Sequence, residues 1–225
     1  MLKKILTSPW TALITLSLVV GLRIADPQFI ESVRLRYFDT LVTSRAPEPI
    51  GVSVVNIDEK AIEKYGQFPF SRDIYGAIIR DLYRRNAGLV VFNVLTPDRD
   101  RMGQDPAYIQ TLKQYPTILP NVGSSRTRNE PRAPGSVVIG PFGVDSFITY
   151  PGIISNIPGV EQSAAGVGIT NTLPEVDGVV RRMPMVIAYN NKLYPSLAME
   201  TLRVAGADTT FQVRSEEHTS ELQSH

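Results

Sequence analysis

Eighteen consecutive residues, Ile5 to Leu22, carry no charge, and Lys3-Lys4 and Arg23 bracket them. At about 1.5 Å per residue the run spans roughly 27 Å, enough for a bilayer core when the flanking cations reach the head groups. A chain that opens this way has one segment that prefers lipid, and the remainder must fold on one side of it. The best cleavage position, Ala25, has Arg23 two places before it, which favours an uncleaved anchor over a signal peptide. With Lys3 and Lys4 on the cytoplasmic face, a single pass through the cell (inner) membrane puts everything after Arg23 outside the cytoplasm. The expected partition is 1–25 as cytoplasmic tip and anchor and 26–213 as an extracytoplasmic domain.

The tail 214–225 reads R-S-E-E-H-T-S-E-L-Q-S-H, which looks like a translated sequencing adapter and not like part of a domain. It is expected to be an artefact, with the natural protein continuing past Val213. The tail holds both histidines, and the chain has no cysteine. Without them, Ser-His-Asp and Cys-His catalysis, the usual zinc ligand sets and disulfide frameworks are all excluded from the remainder. A net charge of +1 over 225 residues gives no field for nucleic acid, and the 43% hydrophobic fraction allows a sizeable core.

After the anchor, Asp26-Pro27 starts a helix whose apolar stripe is Ile30, Val33, Tyr37, Phe38 and Leu41, ending near Ser44. That helix either packs on the domain it precedes or carries motion to the membrane. Val52 to Ile57 reads as a buried strand and Glu59 to Tyr65 as a short helix. Ser71-Arg-Asp73 opens a helix that Asn86-Ala-Gly88 stops, and Leu89 to Leu95 is a second apolar strand. This spacing predicts a βαβ unit, hence an α/β fold: a mixed sheet with a parallel βαβ core and flanking helices, preceded by one transmembrane helix.

Further strands are expected over 117–122 and 137–142, with a helix from Asp105-Pro106 to about Tyr115 between the apolar strand and the first of them. The basic stretch Gly123 to Gly135 is expected to be a solvated loop, lipid contact being the alternative. The runs 166–171 and 179–188 flank a turn at Pro174 to Gly178, as in a hairpin. Asn190-Asn191 makes another turn, and Pro195 to Val204 is a last helix stopped by Gly206.

In open α/β sheets ligands bind beyond the carboxyl ends of the strands. That rule nominates Asp58, Asn93 and Asp98 as tentative ligand-binding residues, with Arg72 and Arg181 as their cationic counterparts. A carboxylate facing an arginine there would hold a small polar ligand or form a structural ion pair. No catalytic residue, metal site or cofactor is expected. Asp98-Arg-Asp100 lacks the glycine and bidentate Glu of a calcium loop, G-x-S-x-G and the P-loop are absent, and Gly166-Val-Gly168 lacks the third glycine of a dinucleotide fingerprint.

An ordered set of segments resembles one family. It comprises Arg36-Tyr-Phe-Asp39 with Arg45-Ala-Pro47, Val54 to Asp58, Gly66 to Arg72, Ala87 to Val94, Asp177-Gly-Val-Val-Arg-Arg-Met-Pro184 and Tyr194 to Ala198. Together they are similar to the type 2 CHASE domain, the extracellular sensory module associated with cyclases and histidine kinases, over roughly Phe29 to Ala205. Asn93 stands where the family usually shows Asp, and Phe68 and Phe70 where tryptophan is common. The resemblance implies a noncatalytic sensor ahead of further membrane helices and a cytoplasmic cyclase or kinase. Its partners would be the bilayer and a small-molecule or protein stimulus, with no nucleic acid and with room for a homodimer. Two other readings stand beside it: a membrane-tethered scaffold whose first helix makes the contacts, and an extracytoplasmic hydrolase using carboxylates.

Overall fold

The computed structural model describes residues 9–25, 27–44, 51–140 and 143–214. The Asp26 cap, the segment Arg45-Ala-Pro47, Lys3 and Lys4, the end of the 137–142 strand and nearly all of the tail lie outside them. The chain divides into two compact units: residues up to Val55 with Pro174–Arg181, and Asn56–Leu173 with everything from Arg182 onward.

Among the described residues the first unit contains two helices, α1 (Pro9–Ala25) and α2 (Gln28–Thr43). α1 is apolar on every face and has no buried residue; Trp10, Leu13, Ile14, Leu16, Leu18, Val19 and Ile24 are all exposed. No single helix among the described residues is long and apolar enough to cross a bilayer, although α1 and α2 pass the same test as a bent pair. In α2 the expected apolar stripe is not the buried side. Ile30, Val33, Tyr37, Phe38 and Leu41 are exposed, and the buried residue is Leu35, one turn before the partly buried Asp39. An ion pair, described below, selects the inward face here in place of hydropathy.

The second unit holds α3 (Glu59–Tyr65), α4 (Arg72–Arg84), β1 (Val90–Val91), α5 (Asp105–Gln114), β2 (Thr117–Ser124), β3 (Gly135–Ile139), β4 (Ile148–Thr149), β5 (Gly152–Ile154), α6 (Pro158–Ser163), β6 (Gly166–Ile169), β7 (Val186–Tyr189), β8 (Lys192–Pro195), α7 (Leu197–Ala205) and β9 (Thr210–Arg214). This is a mixed α/β fold. In its main sheet β2 runs parallel to β1 and to β6, and its last residues pair antiparallel with β5. A second sheet joins β4 parallel to β7 and β7 antiparallel to β8, and β3 pairs with β9.

Parallel crossover units are present, but not the one expected. Val52 to Ile57 forms no strand, and Val52, Val54 and Val55 are largely exposed. β-Branched composition favours a strand only where a ladder partner is met, and this run has none among the described residues. The second expected strand shortens to β1, so the parallel unit is β1–α5–β2. The predicted hairpin across 174–178 is also replaced: β6 pairs with β2, while the segment before β7 supplies a turn instead of a strand.

Local signals end the helices as anticipated. Asn86, at φ 67°, terminates α4; its N–H donates to Tyr83 O and that of Ala87 to Leu82 O, the two bonds of a Schellman stop. α7 starts two residues later than expected, capped by Ser196 Oγ, which accepts from Met199 N. Its C-cap Gly206 is right-handed, and Ala207 takes the left-handed position at φ 56°. The main core gathers Phe70, Tyr75, Ile79, Phe92, Tyr108, Leu112, Leu119 and Val167 between α4, α5, α6 and the sheet.

Candidate functional site

In the first unit, the dipeptide Asp177-Gly178 makes a turn in which Gly178 has φ 80° and its N–H donates to Glu175 O. Val179 N donates back to Asp177 Oδ1 at 3.1 Å. The turn aims both acidic side chains at Arg181, four residues after Asp177. Arg181 then grips Asp39 of α2 with a two-pronged contact, Nε to Oδ1 at 2.7 Å and Nη2 to Oδ2 at 2.7 Å. Its Nη1 donates to Glu175 at 3.1 Å and to Asp177 Oδ1 at 2.9 Å, and Nη2 donates to Asp177 Oδ2 at 2.6 Å. All five guanidinium N–H donors are used, and the side chain is 8% exposed.

The fork is rigid and planar, so it holds Asp39 at a defined angle in a way a lysine would not. The hydrogen bonds from Arg181 hold Asp39 below the usual carboxylate range and bring Asp177 down to about 2, partial burial acting against them in both. Reciprocally, Asp39 first and then Asp177 push Arg181 upward. Both carboxylates are depressed, so unfolded chains take up protons near pH 4 while the folded Asp177 resists until about 2 and Asp39 titrates below its usual range. The cluster's stabilisation is therefore complete above about pH 4 and is lost as the pH falls toward 2. Melting curves between pH 5 and pH 2 should show this slope, flattened in Asp177→Asn; an equal slope in that variant would contradict the assignment.

The second unit holds the carboxyl edge of the parallel strands. Arg72, at the first turn of α4, is buried; its Nη2 donates to Asp98 O at 3.1 Å and its guanidinium lies 5.5 Å from the Tyr75 ring centre. The carboxylate facing Arg72 belongs to Asp105, 3.6 Å from Nε, a residue not on the expected set. Asp105 Oδ2 accepts from Asp100 N, and Asp100 Oδ2 accepts from Ser71 Oγ and Gln104 N. The Ser71 hydroxyl thus ties α4 to this loop and does not cap its own helix.

Of the nominated residues the structure brings Arg72 and Asp98 together, through the Asp98 carbonyl; the exposed Asp98 carboxylate pairs with Arg128. Asp58 is exposed and caps α3, accepting from Ala61 N at 3.1 Å. Asn93 is exposed beyond β1. Arg181 belongs to the other unit, with Asp39 as its main partner. In the basic loop Ser125 to Arg128 are exposed, as expected of a solvated loop, while Arg132 anchors its later part by donating to Ala164 O at 2.9 Å.

Sequence reasoning missed a buried polar network behind this edge. Asn156 Oδ1 accepts from Thr96 N and Oγ1, and its Nδ2 donates to Pro120 O and Glu161 Oε2. Glu161 Oε1 accepts from Asn121 Nδ2 and Arg132 N. Thr96, Asn121, Asn156 and Glu161 are all at most 2% exposed. The partners are up to 60 residues apart in sequence, and the one local hint was Asn121 inside an apolar strand. This network braces strand ends; it holds no nucleophile and base pair. Among the described residues no group of three or more His, Asp or Glu is placed to hold a metal ion.

Compared with known proteins, the chain matches the family model described as the CHASE2 domain over residues 14–223. No curated protein and no solved structure matches it.

Proposed function

Because the chain belongs to the CHASE2 domain family, whose members are extracellular sensory domains and not catalysts, we propose that it is the extracytoplasmic input domain of a membrane receptor. The observation that carries this reading is Arg181. It spends every donor on a cluster that includes Asp39, and Asp39 lies on the helix following the apolar α1. A helix exposing large apolar residues on every side is suited to lipid, so α1 with the uncharged residues before it serves as the anchor of residues 1–25, and residues 26–213 form the sensor.

The Arg181 turn is joined in sequence to β6 on one side and to β7 on the other. A stimulus, small molecule or protein, that favours one arrangement of these loops would reach α2 through the Arg181–Asp39 fork and shift a two-state equilibrium in the membrane helices. The proposed stimulus site is the carboxyl edge around Arg72 and Asp98. The natural protein then continues into further membrane helices and a cytoplasmic cyclase or kinase.

A second reading, a membrane-tethered scaffold or homodimer, draws on the exposed Ile30, Val33, Tyr37, Phe38 and Leu41 of α2. Charge exchange separates the two. In a receptor carrying this domain, Asp39→Arg and Arg181→Asp should each abolish stimulus-dependent output, and the double exchange should restore a measurable part of it. Undiminished output in either single variant would sink the relay.

A further inference from the structure

The β7–β8 hairpin turns at Asn190-Asn191, both left-handed at φ 48° and 58°, and so sets Lys192 and Leu193 at the start of β8. Leu193 is buried in a small core with Ala188 and Phe211, and Phe211 belongs to β9, the strand that pairs with β3. Above this core a cavity of about 340 Å³, partly open to solvent, is lined on one side by β3 and the residues before it and on the other by the start of β8, with Val144 between. Small-molecule sites begin near this size, about 300 Å³.

The wall formed by Ala133, Pro134, Val138, Val144 and Leu193 is aliphatic. Ser136 shares the Val138 face of β3 by the two-residue period, and with Asn191 and Lys192 it supplies the polar part of the lining. All three offer donors: a hydroxyl, a side-chain amide and an ammonium. The described lining holds one cation and no acidic residue; Glu130 and Asp145, close in sequence to its members, are not part of it. Lys192 has no ion-pair partner among the described residues.

These features select the occupant by charge and shape. One unpaired ammonium favours a single negative charge, whereas a second would find no cation, and the ammonium of a zwitterion would meet Lys192 with no carboxylate to receive it. The aliphatic wall favours a short hydrocarbon tail on that anion. At the roughly 30 Å³ that a water molecule occupies, the cavity has room for about ten non-hydrogen atoms.

We propose that the groove between β3 and the start of β8 is a binding site for a small aliphatic monocarboxylate, with its carboxylate at Lys192, Ser136 and Asn191 and its tail against Val138, Val144 and Leu193. The site shares no residue with the Arg72 edge and stands whether or not the domain signals.

The test is calorimetric titration of the full 225-residue chain in detergent with sodium hexanoate and with its neutral isostere hexanamide. Hexanoate should bind saturably and hexanamide at least about fivefold more weakly. Lys192 is exposed, so Lys192→Met should melt like the wild type yet lose at least about fivefold in hexanoate affinity. Val138 is 38% exposed, and Val138→Phe, which fills the wall without touching the charge, should weaken hexanoate too. Absence of saturable hexanoate binding, equal binding of the two probes, or undiminished affinity in Lys192→Met would overturn the proposal. Full affinity in Val138→Phe would overturn the placement of the tail, and with it the site.

Discussion

Glu161→Ala should lower the stability of the folded domain by about 3 kcal/mol, read as a fall in melting temperature on the order of 6–12 °C. Glu161 is 2% exposed and accepts from three donors: Asn121 Nδ2 at 2.8 Å, Asn156 Nδ2 at 3.0 Å and Arg132 N at 3.1 Å. Truncation leaves these donors facing a dry hole. Asn156 keeps Pro120 O at 3.0 Å, whereas the Asn121 amide and the Arg132 N–H lose the carboxylate outright. Glu161→Gln preserves shape and one acceptor, so its cost should be distinctly smaller. Equal melting of the Ala variant and the wild type would show that the network does not brace the strand ends.

Gly168→Ala should be comparably damaging, about 3 kcal/mol or more, for a steric reason. A Cβ at Gly168 would stand 2.5 Å from Leu197 Cα, 2.7 Å from Leu197 N and 2.8 Å from Ser196 O. All three are backbone atoms at the start of α7, where Ser196 also bridges to Ile169, so neither β6 nor α7 can yield by turning a side chain. Gly166→Ala provides the control on the same strand, since its Cβ would meet Glu200 Oε1 at 2.5 Å and Val204 Cγ2 at 2.8 Å. Side-chain neighbours can shift, and a smaller loss is expected there. Chemical denaturation of the two variants side by side decides it, and a Gly168 variant no weaker than the Gly166 one would contradict the close approach.

These two sites also show where sequence reading stops. Gly166-Val-Gly168 was weighed as an incomplete dinucleotide signature; its glycines instead let a helix rest on a strand, a contact that depends on residues some thirty positions away. Arg181 was set at the sheet edge by its chain position, yet its partner is Asp39, 142 residues distant. Arg181 and Asp39 each belong to a segment that carries the family resemblance, so for this pair the signal was present as motif order and not as geometry. Elements encoded locally were legible. The Asn86 limit of α4, the Asn190-Asn191 turn with φ 48° and 58°, and the strand from Thr117 each follow from adjacent residues.

Val52 to Ile57 failed for the opposite reason. Its valines are strand-like by composition, but pairing is decided by a neighbour that composition does not supply. The stripe on α2 misled similarly, because one bidentate ion pair at Asp39 outweighs the direction that hydropathy suggests.

The absence of cysteine from the chain makes the topology directly measurable. Met102 lies in the loop after β1 and is 72% exposed, so Met102→Cys provides one reactive thiol on the sensor. Cells expressing this variant, with any outer envelope opened and the inner membrane intact, are treated with a membrane-impermeant maleimide before and after lysis. The account predicts full labelling before lysis, on a protein that sediments with membranes. Labelling that appears only after the inner membrane is broken would place the domain in the cytoplasm and contradict an extracytoplasmic sensor.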